Sequence, residues 1–482
     1  MQSNYCVDNS TQMRVLTDDQ CQQILGAAME ILERTGALYH NQKAVDILKK
    51  GGCDIDDKLV KIPSRMVERS LRQAPMQITL HDSRTGERRL VLEGDNSYFG
   101  CGSDTPFAID PYSGERKQAT KKSVADACRV MDGLPNIDFI MSLGIVQDVS
   151  QPIYDRHQVE AQILNTSKPI ITTATDKVGY SDIIEMCEVV AGGEDELRRH
   201  PFMTLYAEPI SPLVHNEEAA DKLMVAAEKS LPVVYTPCVM AGATVPATMA
   251  GVLAQGLAES LSGLVLNQLT RPEAPFIMGG VFTIMDMQTT IFSYGAPEFD
   301  LLMAGLADLS RYLDLPMFGT AGCTDSKVVD EQACIEGALS CLLSAQGGAN
   351  LIHDVGYIEH GNTSSLEYLV VNDEIIGMAR HIVNGMEVNE KTLALDLIDK
   401  VGPGGHFLGE EHTMETLKTE TFFPDLMDRQ RYENWEKDGK KRLEERANEK
   451  AIDILETHEV DPLPKETIKN VKAIVERAES SL

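Results

Sequence analysis

Eight short apolar runs, rich in β-branched and aromatic residues, recur between residues 97 and 354 and start roughly 30 to 43 residues apart. In chain order they are SYFGCG, NIDFIMSLG, PIITTAT, FMTLYAE, LPVVYTP, APFIMGGV, LPMFGTAG and ANLIHDVG. Longer stretches with apolar residues at helical spacing separate them, such as VPATMAGVLAQGLAESLSGLVLNQ. Each interval has room for a strand, a helix and two loops, so the pattern predicts a (β/α)8 TIM barrel, an α/β fold. An open, doubly wound sheet is the competing topology, and the lack of a glycine-rich phosphate loop in the first unit favours the barrel.

The segments on either side of the barrel have different patterns. VLTDDQCQQILGAAMEILERTG predicts a helix that begins with a capping box of Thr17 and Gln20 and ends at Gly36. IPSRMVERSLRQAP predicts a second helix, and MQITLHD and RRLVLEG bracket the turn SRTGE as a hairpin. Beyond the barrel, mixed charges along helical stretches predict solvated helices. The predicted domains are an N-terminal cap at 1–95, the barrel at 96–365 and a C-terminal helical extension at 366–482.

Charge and cysteine content restrict the classes of function. The 482 residues carry 74 acidic and 44 basic side chains, a formal charge of −30, which disfavours binding to nucleic acid or an anionic membrane. No uninterrupted apolar run reaches the ~18 residues of a spanning helix. The start MQSNYCVDNSTQMRV lacks a signal-peptide pattern. We therefore expect a cytoplasmic protein whose ten cysteines, none in a Cys-x-x-Cys motif, are reduced thiols.

Residues that end the predicted strands are the candidates for chemistry, because barrel active sites lie at the carboxyl ends of the strands. They include Tyr98, Cys101, Asp104, Tyr206, Glu208, Cys238, Phe282, Cys323, Asp325, His353, Asp354, Tyr357 and Glu359. No nucleophile-elbow motif and no strand-end lysine occurs among the eight runs, which disfavours acyl transfer and imine chemistry.

Three kinds of site remain open. Glu208 and Glu359 would suit a glycosidase pair, although the single Trp435 lies outside the barrel, where it cannot provide a sugar platform. A zinc site would draw on thiolates and His353, with scattered buried thiols as the simpler explanation; the thiolates would come from Cys101, Cys238 and Cys323. Aromatic faces beside mouth carboxylates would instead suit a quaternary ammonium group.

Five longer motifs carry a family resemblance. They are YFGCGSDTPFAID, YAEPISPL, APEFDLLMAGLADLSRYLDLPMFGTAGCTDSKVVDEQA, ANLIHDVGYIEHGNTSSLEYLVVNDEIIGMARHIV and VGPGGHFLGEEHT. Together they resemble the trimethylamine methyltransferase family, specifically its non-pyrrolysine members, which demethylate betaines. The resemblance implies a barrel that presents its substrate to the Co(I) of a corrinoid protein docked at the mouth. It also implies that the corrinoid is carried by that partner and not bound tightly by this chain, and that the chain forms a homo-oligomer.

One departure from the trimethylamine enzymes is chemically informative. Those enzymes carry pyrrolysine in the barrel mouth, whereas residues 319–325 of this chain are all ordinary. A quaternary ammonium group can donate a methyl group without further activation, because the nitrogen departs as part of a neutral tertiary amine. A chain without pyrrolysine should therefore use a quaternary substrate. Glycine betaine, proline betaine, carnitine and γ-butyrobetaine are not distinguished by the sequence.

The resemblance and the strand-end positions together select the site residues. The predicted catalytic residues are His353, Tyr98 and Asp354. The predicted substrate-binding residues are Tyr206, Glu208, Phe282, Asp325, Tyr357 and Glu359, and no metal ligand is assigned. The alternatives are a zinc-dependent thiol or alcohol methyltransferase and a non-catalytic betaine-binding protein.

Overall fold

The computed structural model describes residues 11–481, so the predicted free thiol of Cys6 lies outside the described residues. Seven parallel strands form one curved sheet in the order first, eighth, seventh, sixth, fifth, fourth, third. The strands are Tyr98–Phe99, Leu351–His353, Met317–Thr320, Phe276–Gly279, Val233–Tyr235, Met203–Ala207 and Ile170–Thr172. The second predicted run lies between the two edges of this sheet and closes the ring. Phe139 forms a bridge with Gly100, just after the first strand, and Ile140 forms a bridge with Ile170 of the third. The (β/α)8 barrel and seven of the eight predicted strands are confirmed, and the second predicted run takes part only through these two bridges.

A helix follows each barrel strand and forms the outer ring. The eight helices are Lys121–Gly133, Tyr154–Asn165, Lys177–Ala191, Glu217–Lys229, Met249–Thr270, Pro297–Tyr312, Glu331–Gly347 and Leu366–Val383. The eighth of these helices belongs to the barrel although it lies beyond residue 365. Met249–Thr270 is long and apolar enough to cross a membrane by length and composition, but most of it is buried inside the protein. It is a core helix of the ring.

The N-terminal cap has the predicted elements. Helix Asp18–Glu30 begins with the Thr17–Gln20 capping box and continues through a π-helical turn, Ile31–Thr35, to Gly36, whose φ of 77° suits a residue without a Cβ. The remaining helices of the cap are Gln42–Gly51 and Ser64–Gln73. Its strands are Ala37–Tyr39, Asp54–Asp56, Leu59–Lys61 and the hairpin Ile78–His81 with Arg88–Leu92. Val214–His215 joins the cap to the barrel by pairing with Ala37–Tyr39.

Short ribbons surround the carboxyl end of the barrel. Cys238–Ala241 pairs with Val281–Ile284, which continues the fifth and sixth strands upward. A second ribbon contains Phe107–Ile109, Arg116–Gln118, Tyr357–Ile358 and Thr363–Ser364. These ribbons form the rim of the mouth.

The C-terminal extension consists of helices, as predicted. Four short ones come first: Glu390–Leu393, Leu395–Val401, Glu411–Glu420 and Tyr432–Lys437. Two longer ones, Leu443–Thr457 and Lys465–Ser480, return to pack on the barrel helices, where Ala447, Ala451, Val471 and Val475 are buried.

Candidate active site at the barrel mouth

The loop after the first strand and the residue after the eighth strand meet closely at the mouth. Asp354 directly follows strand Leu351–His353 and has a left-handed φ of 74°, which is uncommon for a residue with a Cβ. A Cβ on Gly102 would lie 2.2 Å from both the Asp354 Oδ1 and the Tyr357 Oη atoms. Glycine is therefore required at position 102, and it lets these two polar side chains occupy the mouth.

Three carboxyl groups, Asp104, Glu208 and Asp354, lie close together here and are called the acidic cluster. Asp104 and Glu208 retain solvent contact although they are surrounded by the body of the protein, so they line an internal cavity. Burial and the neighbouring Asp104 raise the pKa of Glu208 to about 7. Burial and the charges of Asp104 and Glu208 raise the pKa of Asp354 well above its usual value. Burial and mutual repulsion in the cluster therefore favour the protonated forms of its carboxyl groups.

Hydrogen-bond directions define the protonation state of His353. Its Nδ1 lies 2.8 Å from the Gly319 carbonyl oxygen, which only accepts, so Nδ1 carries a proton. Burial lowers the pKa of His353 to about 3, so the ring is neutral and its Nε2 is an acceptor. Nε2 lies 3.2 Å from Asp354 Oδ1. Burial and the neighbouring carboxyl groups raise the pKa of Asp354, which favours its protonated form, the form that can donate to Nε2.

Aromatic rings form the walls around the cluster. The His353 ring lies 4.1 Å from the Phe318 ring and 6.2 Å from the Tyr206 ring, measured between centroids. The Tyr206 hydroxyl donates to Glu208 Oε2 at 3.1 Å. The Tyr357 hydroxyl donates to Asp104 Oδ1 at 2.6 Å. Aromatic faces beside partly ionised carboxylates are the surroundings that suit an alkylammonium cation.

The structure brings five of the nine predicted site residues together: Tyr206, Glu208, His353, Asp354 and Tyr357. Asp325 lies beside this group, where its carboxylate accepts from the Ser293 hydroxyl and, at 2.9 Å, from the Tyr294 backbone N–H. Glu359 lies on the rim in an ion pair with Arg116, 2.8 Å from its Nη2. Glu359 is therefore already neutralised by the fold.

The structure places two predicted residues away from the mouth. Tyr98 begins the first strand, pairs with Leu351 at the start of the eighth, and accepts a hydrogen bond from the Val91 N–H of the hairpin at 3.2 Å. It therefore lies at the amino end of the barrel, and its prediction as a catalytic residue is corrected. Phe282 is fully buried between two outer helices, and a Cβ on Gly256 would lie 2.3 Å from its ring. Because side chains alternate along a strand, Phe282 points away from the barrel axis and toward the outer helices. It packs between those helices and does not line the site.

Two residues of the site were not selected from the sequence. Asp104 was among the strand-end residues, but only the fold shows that it faces Glu208 and Asp354. Tyr294, whose side chain hydrogen-bonds Asp354, comes from the loop between strand Val281–Ile284 and helix Pro297–Tyr312. Tyr294 does not directly follow a predicted strand, so the rule that selects strand-end residues could not find it.

The two thiols near the cluster do not form a metal site. Burial and the charge of Glu208 raise the pKa of Cys238, and burial and the charge of Asp354 raise the pKa of Cys323. Across residues 11–481, no three histidine, cysteine, aspartate or glutamate side chains are arranged to hold a metal ion. The described residues therefore offer no support for the zinc alternative.

The fold and the mouth thus define a (β/α)8 barrel protein with carboxyl groups and aromatic rings at its mouth, and comparison with known proteins gives its family. The model of the trimethylamine methyltransferase family matches residues 1–482. The chain belongs to this family, and since it consists of ordinary residues throughout, to its non-pyrrolysine members.

Curated relatives extend along almost the whole chain. A trimethylamine methyltransferase of Desulfitobacterium hafniense is 34% identical over 96% of this chain and 93% of its own length. A glycine betaine methyltransferase of the same species is 31% identical over 96% of each chain. Among solved structures, the monomethylamine methyltransferase of Methanosarcina barkeri has 12% identity and a TM-score of 0.45 over 95% of this chain and 98% of its own.

Proposed function

We propose that the protein transfers a methyl group from a quaternary amine to the Co(I) of a corrinoid carried by a partner protein, and releases the tertiary amine. Two things support this proposal: membership of a methyltransferase family and relatives named for trimethylamine and glycine betaine. The observation that carries it is the acidic cluster, Asp104, Glu208 and Asp354, enclosed by aromatic rings at the mouth.

The reaction is a displacement at the methyl carbon. The cobalt electron pair forms the new bond to carbon, the C–N bond breaks, and its electron pair stays on nitrogen as a neutral tertiary amine. No proton transfer is needed, because the quaternary nitrogen already carries its charge. The chain's own residues therefore bind the cation and aim one methyl group outward toward the docked corrinoid protein.

The protonation of Asp354 has a catalytic consequence. Positive charge leaves the nitrogen during the reaction, so an excess of negative charge in the cavity would stabilise the substrate more than the transition state. A neutral Asp354 leaves Glu208 and Asp104 as the groups that supply negative charge. In this proposal, His353 acts as a positioning residue, because it accepts the Asp354 proton and packs between Phe318 and Tyr206.

A betaine also brings a carboxylate, which needs a cationic or polar partner. Lys222 acts electrostatically on Glu208 and lowers its pKa against the larger effects of burial and Asp104. Its Nζ donates to the Ala174 carbonyl oxygen at 2.6 Å, just beyond the third strand, so it reaches the mouth and has donors to spare. We assign Lys222 as the anchor for the substrate carboxylate.

The test is a substrate screen with the purified protein and its reduced corrinoid protein under anaerobic conditions. Methylation of Co(I) is followed by its absorbance with glycine betaine, proline betaine, carnitine, γ-butyrobetaine and trimethylamine. We expect turnover with at least one betaine and none with trimethylamine. Turnover of trimethylamine alone would contradict the proposal. Betaine binding without cobalt methylation would also contradict it and would indicate a non-catalytic betaine-binding protein.

The Lys222 assignment has its own control. Lys222→Met should raise the KM for the accepted betaine at least tenfold, as expected for a lost charge-assisted hydrogen bond. The same variant should leave the KM for tetramethylammonium nearly unchanged, since that cation lacks a carboxylate. Equal effects on both substrates would remove Lys222 as the anchor while leaving the methyl transfer proposal intact.

A further inference from the structure

Tyr294 is an aromatic side chain of the mouth that the reaction proposed above does not use. It lies on the loop between strand Val281–Ile284 and helix Pro297–Tyr312. It keeps some solvent contact although protein surrounds it, as two members of the acidic cluster do, so it lines the same cavity. Burial and the nearby charge of Asp354 raise the pKa of its hydroxyl. The hydroxyl therefore stays protonated and can donate to Asp354.

Neighbouring residues fix the ring of Tyr294 on several sides. Its centroid lies 5.2 Å from that of Phe292 and 5.5 Å from that of Phe299, with both pairs packed edge to face. A Cβ on Gly361 would lie 3.3 Å from the Tyr294 Cε2 atom, so the loop after the eighth strand covers another side. The part of the ring that remains uncovered faces the cavity.

The carboxylate of Asp325 holds the backbone of this loop. Its Oδ1 accepts from the Tyr294 N–H at 2.9 Å, and its Oδ2 accepts from the Ser293 hydroxyl. The His360 Nδ1 atom lies 3.5 Å from the same Oδ1. Asp325 follows the seventh strand and His360 follows the eighth, so one carboxylate joins three loops of the mouth. Both of its oxygens are engaged by the protein itself.

Glu336 in turn fixes the position of Asp325. Its Oε2 accepts from the Asp325 N–H at 2.9 Å and also from the Thr324 hydroxyl. Its carboxyl group lies against the loop of Tyr294, where a Cβ on Gly295 would be 2.4 Å from Oε1. Because Glu336 belongs to helix Glu331–Gly347 of the outer ring, Asp325 is tied to the frame of the barrel.

We propose that Tyr294 supplies an aromatic wall for the ammonium group of the substrate, and that Asp325 is a positioning residue that holds Tyr294 through its backbone. This inference rests on the proposed function and deepens it. A cation is attracted to an aromatic ring only within about 6 Å of its centroid, so the position of the ring matters. A neutral ring also attracts the cation without adding negative charge that would oppose its loss in the reaction. Asp325 thus acts through Tyr294 and does not contact the substrate, in contrast to its predicted role.

Titration calorimetry with tetramethylammonium chloride tests the wall, because this cation has no carboxylate. Tyr294→Leu should weaken binding about tenfold, whereas Tyr294→Phe, which keeps the ring, should stay within about threefold of the wild type. Wild-type affinity in Tyr294→Leu would overturn the proposal. Thermal unfolding confirms that each variant is folded.

Two substitutions of Asp325 distinguish positioning from a direct effect of its charge. Asp325→Ala should weaken binding about tenfold, because the Tyr294 N–H loses its acceptor. Asp325→Asn should restore binding to within about threefold of the wild type, since its amide oxygen still accepts from that N–H and its amide nitrogen can donate to the Ser293 hydroxyl. An asparagine variant as weak as the alanine variant would show that the charge is required and would overturn the positioning role.

A double variant tests whether Asp325 acts through Tyr294. In the Tyr294→Leu background, Asp325→Ala should weaken binding by less than about twofold more, because the ring that it positions is already absent. Multiplied losses would assign Asp325 an independent contact with the cation and contradict the proposal.

Asp286→Ala is the matched control for Asp325→Ala. Asp286 Oδ1 accepts from the Gln288 N–H at 2.7 Å and the Thr289 N–H at 3.4 Å, at the tip of the same loop. The control therefore removes one carboxylate and two backbone contacts of this loop away from Tyr294, and its affinity should match the wild type. An equal loss in both variants would indicate general loosening of the loop and overturn the specific role of Asp325.

The binding measurements separate this inference from the methyl transfer proposal. Cobalt methylation by a wild type that does not bind tetramethylammonium would overturn the aromatic wall alone. Binding that Tyr294→Leu weakens, in a wild type that never methylates cobalt, would support the wall and contradict methyl transfer. A wild type that neither binds this cation nor methylates cobalt would overturn both.

Discussion

Charged and polar groups at the two ends of the barrel differ in the partners that the fold gives them. At the amino end, the Lys168 Nζ donates to the carbonyl oxygens of Met131, Leu134 and Ile137 at 2.6 to 2.7 Å. Asn350 closes the same end, where its Nδ2 donates to three carbonyl oxygens and its Oδ1 accepts from the Met317 N–H. At the mouth, the acidic cluster has tyrosines and His353 as its partners, and no lysine or arginine among residues 11–481 forms an ion pair with it. Polar groups at one end complete the fold, and those at the other are available to a ligand.

The largest expected effect comes from the amino end. Lys168→Met should lower the free energy of unfolding by about 3 kcal/mol, because it leaves buried carbonyl oxygens without donors. The protein that remains folded should keep its kcat, since Lys168 is far from the mouth. Chemical denaturation and turnover at low temperature check both parts. A variant with unchanged stability and a lowered kcat would contradict this prediction, because it would show that Lys168 serves the reaction and not the fold.

At the mouth, the expected effect is on activity and pH. Burial and Asp104 raise the pKa of Glu208 to about 7, so its negative charge forms as the pH rises through that value. A quaternary substrate does not titrate, so its KM should fall severalfold between about pH 6 and 8. Asp104 and Lys222 also act on Glu208 and set the midpoint.

Glu208→Gln should abolish this pH dependence and raise the KM at pH 8 about tenfold. The folded state raises the pKa of Glu208, so the wild type loses stability as Glu208 ionises with rising pH. The glutamine variant should therefore melt at a higher temperature than the wild type at pH 8, with no difference at pH 4. A variant that melts lower at pH 8 would show that the charge of Glu208 stabilises the fold.

The smallest effects distinguish two tyrosines. Tyr357→Phe removes the hydroxyl that donates to Asp104 and should lower kcat/KM about tenfold. Tyr98→Phe removes only the acceptor of the Val91 N–H at the other end and should change kcat/KM less than twofold. Initial rates at subsaturating substrate measure both variants. A tenfold loss for Tyr98→Phe would connect the amino end to the reaction.

The difference between the two tyrosines also shows what the sequence could predict. The barrel was predicted because short apolar runs that alternate with helical stretches form a local pattern. The rule that active-site residues follow the strands then found His353, Asp354, Tyr206 and Glu208. Tyr98 was misplaced because a run such as SYFGCG does not show which of its residues reaches the mouth. Phe282 was misplaced because its orientation depends on the ribbon pairing of Val281–Ile284 with Cys238–Ala241. Tyr294 depends on the path of a long loop, which no periodicity records.

The thiols beside the acidic cluster have a consequence for selectivity. A cavity that holds a methyl donor next to sulfur risks alkylating itself, since thiolates are strong nucleophiles toward carbon. Burial, reinforced by the charge of Glu208, keeps Cys238 protonated, and burial with the charge of Asp354 does the same for Cys323. The carboxylates that attract a cationic substrate would thus also protect the protein from consuming its own methyl group.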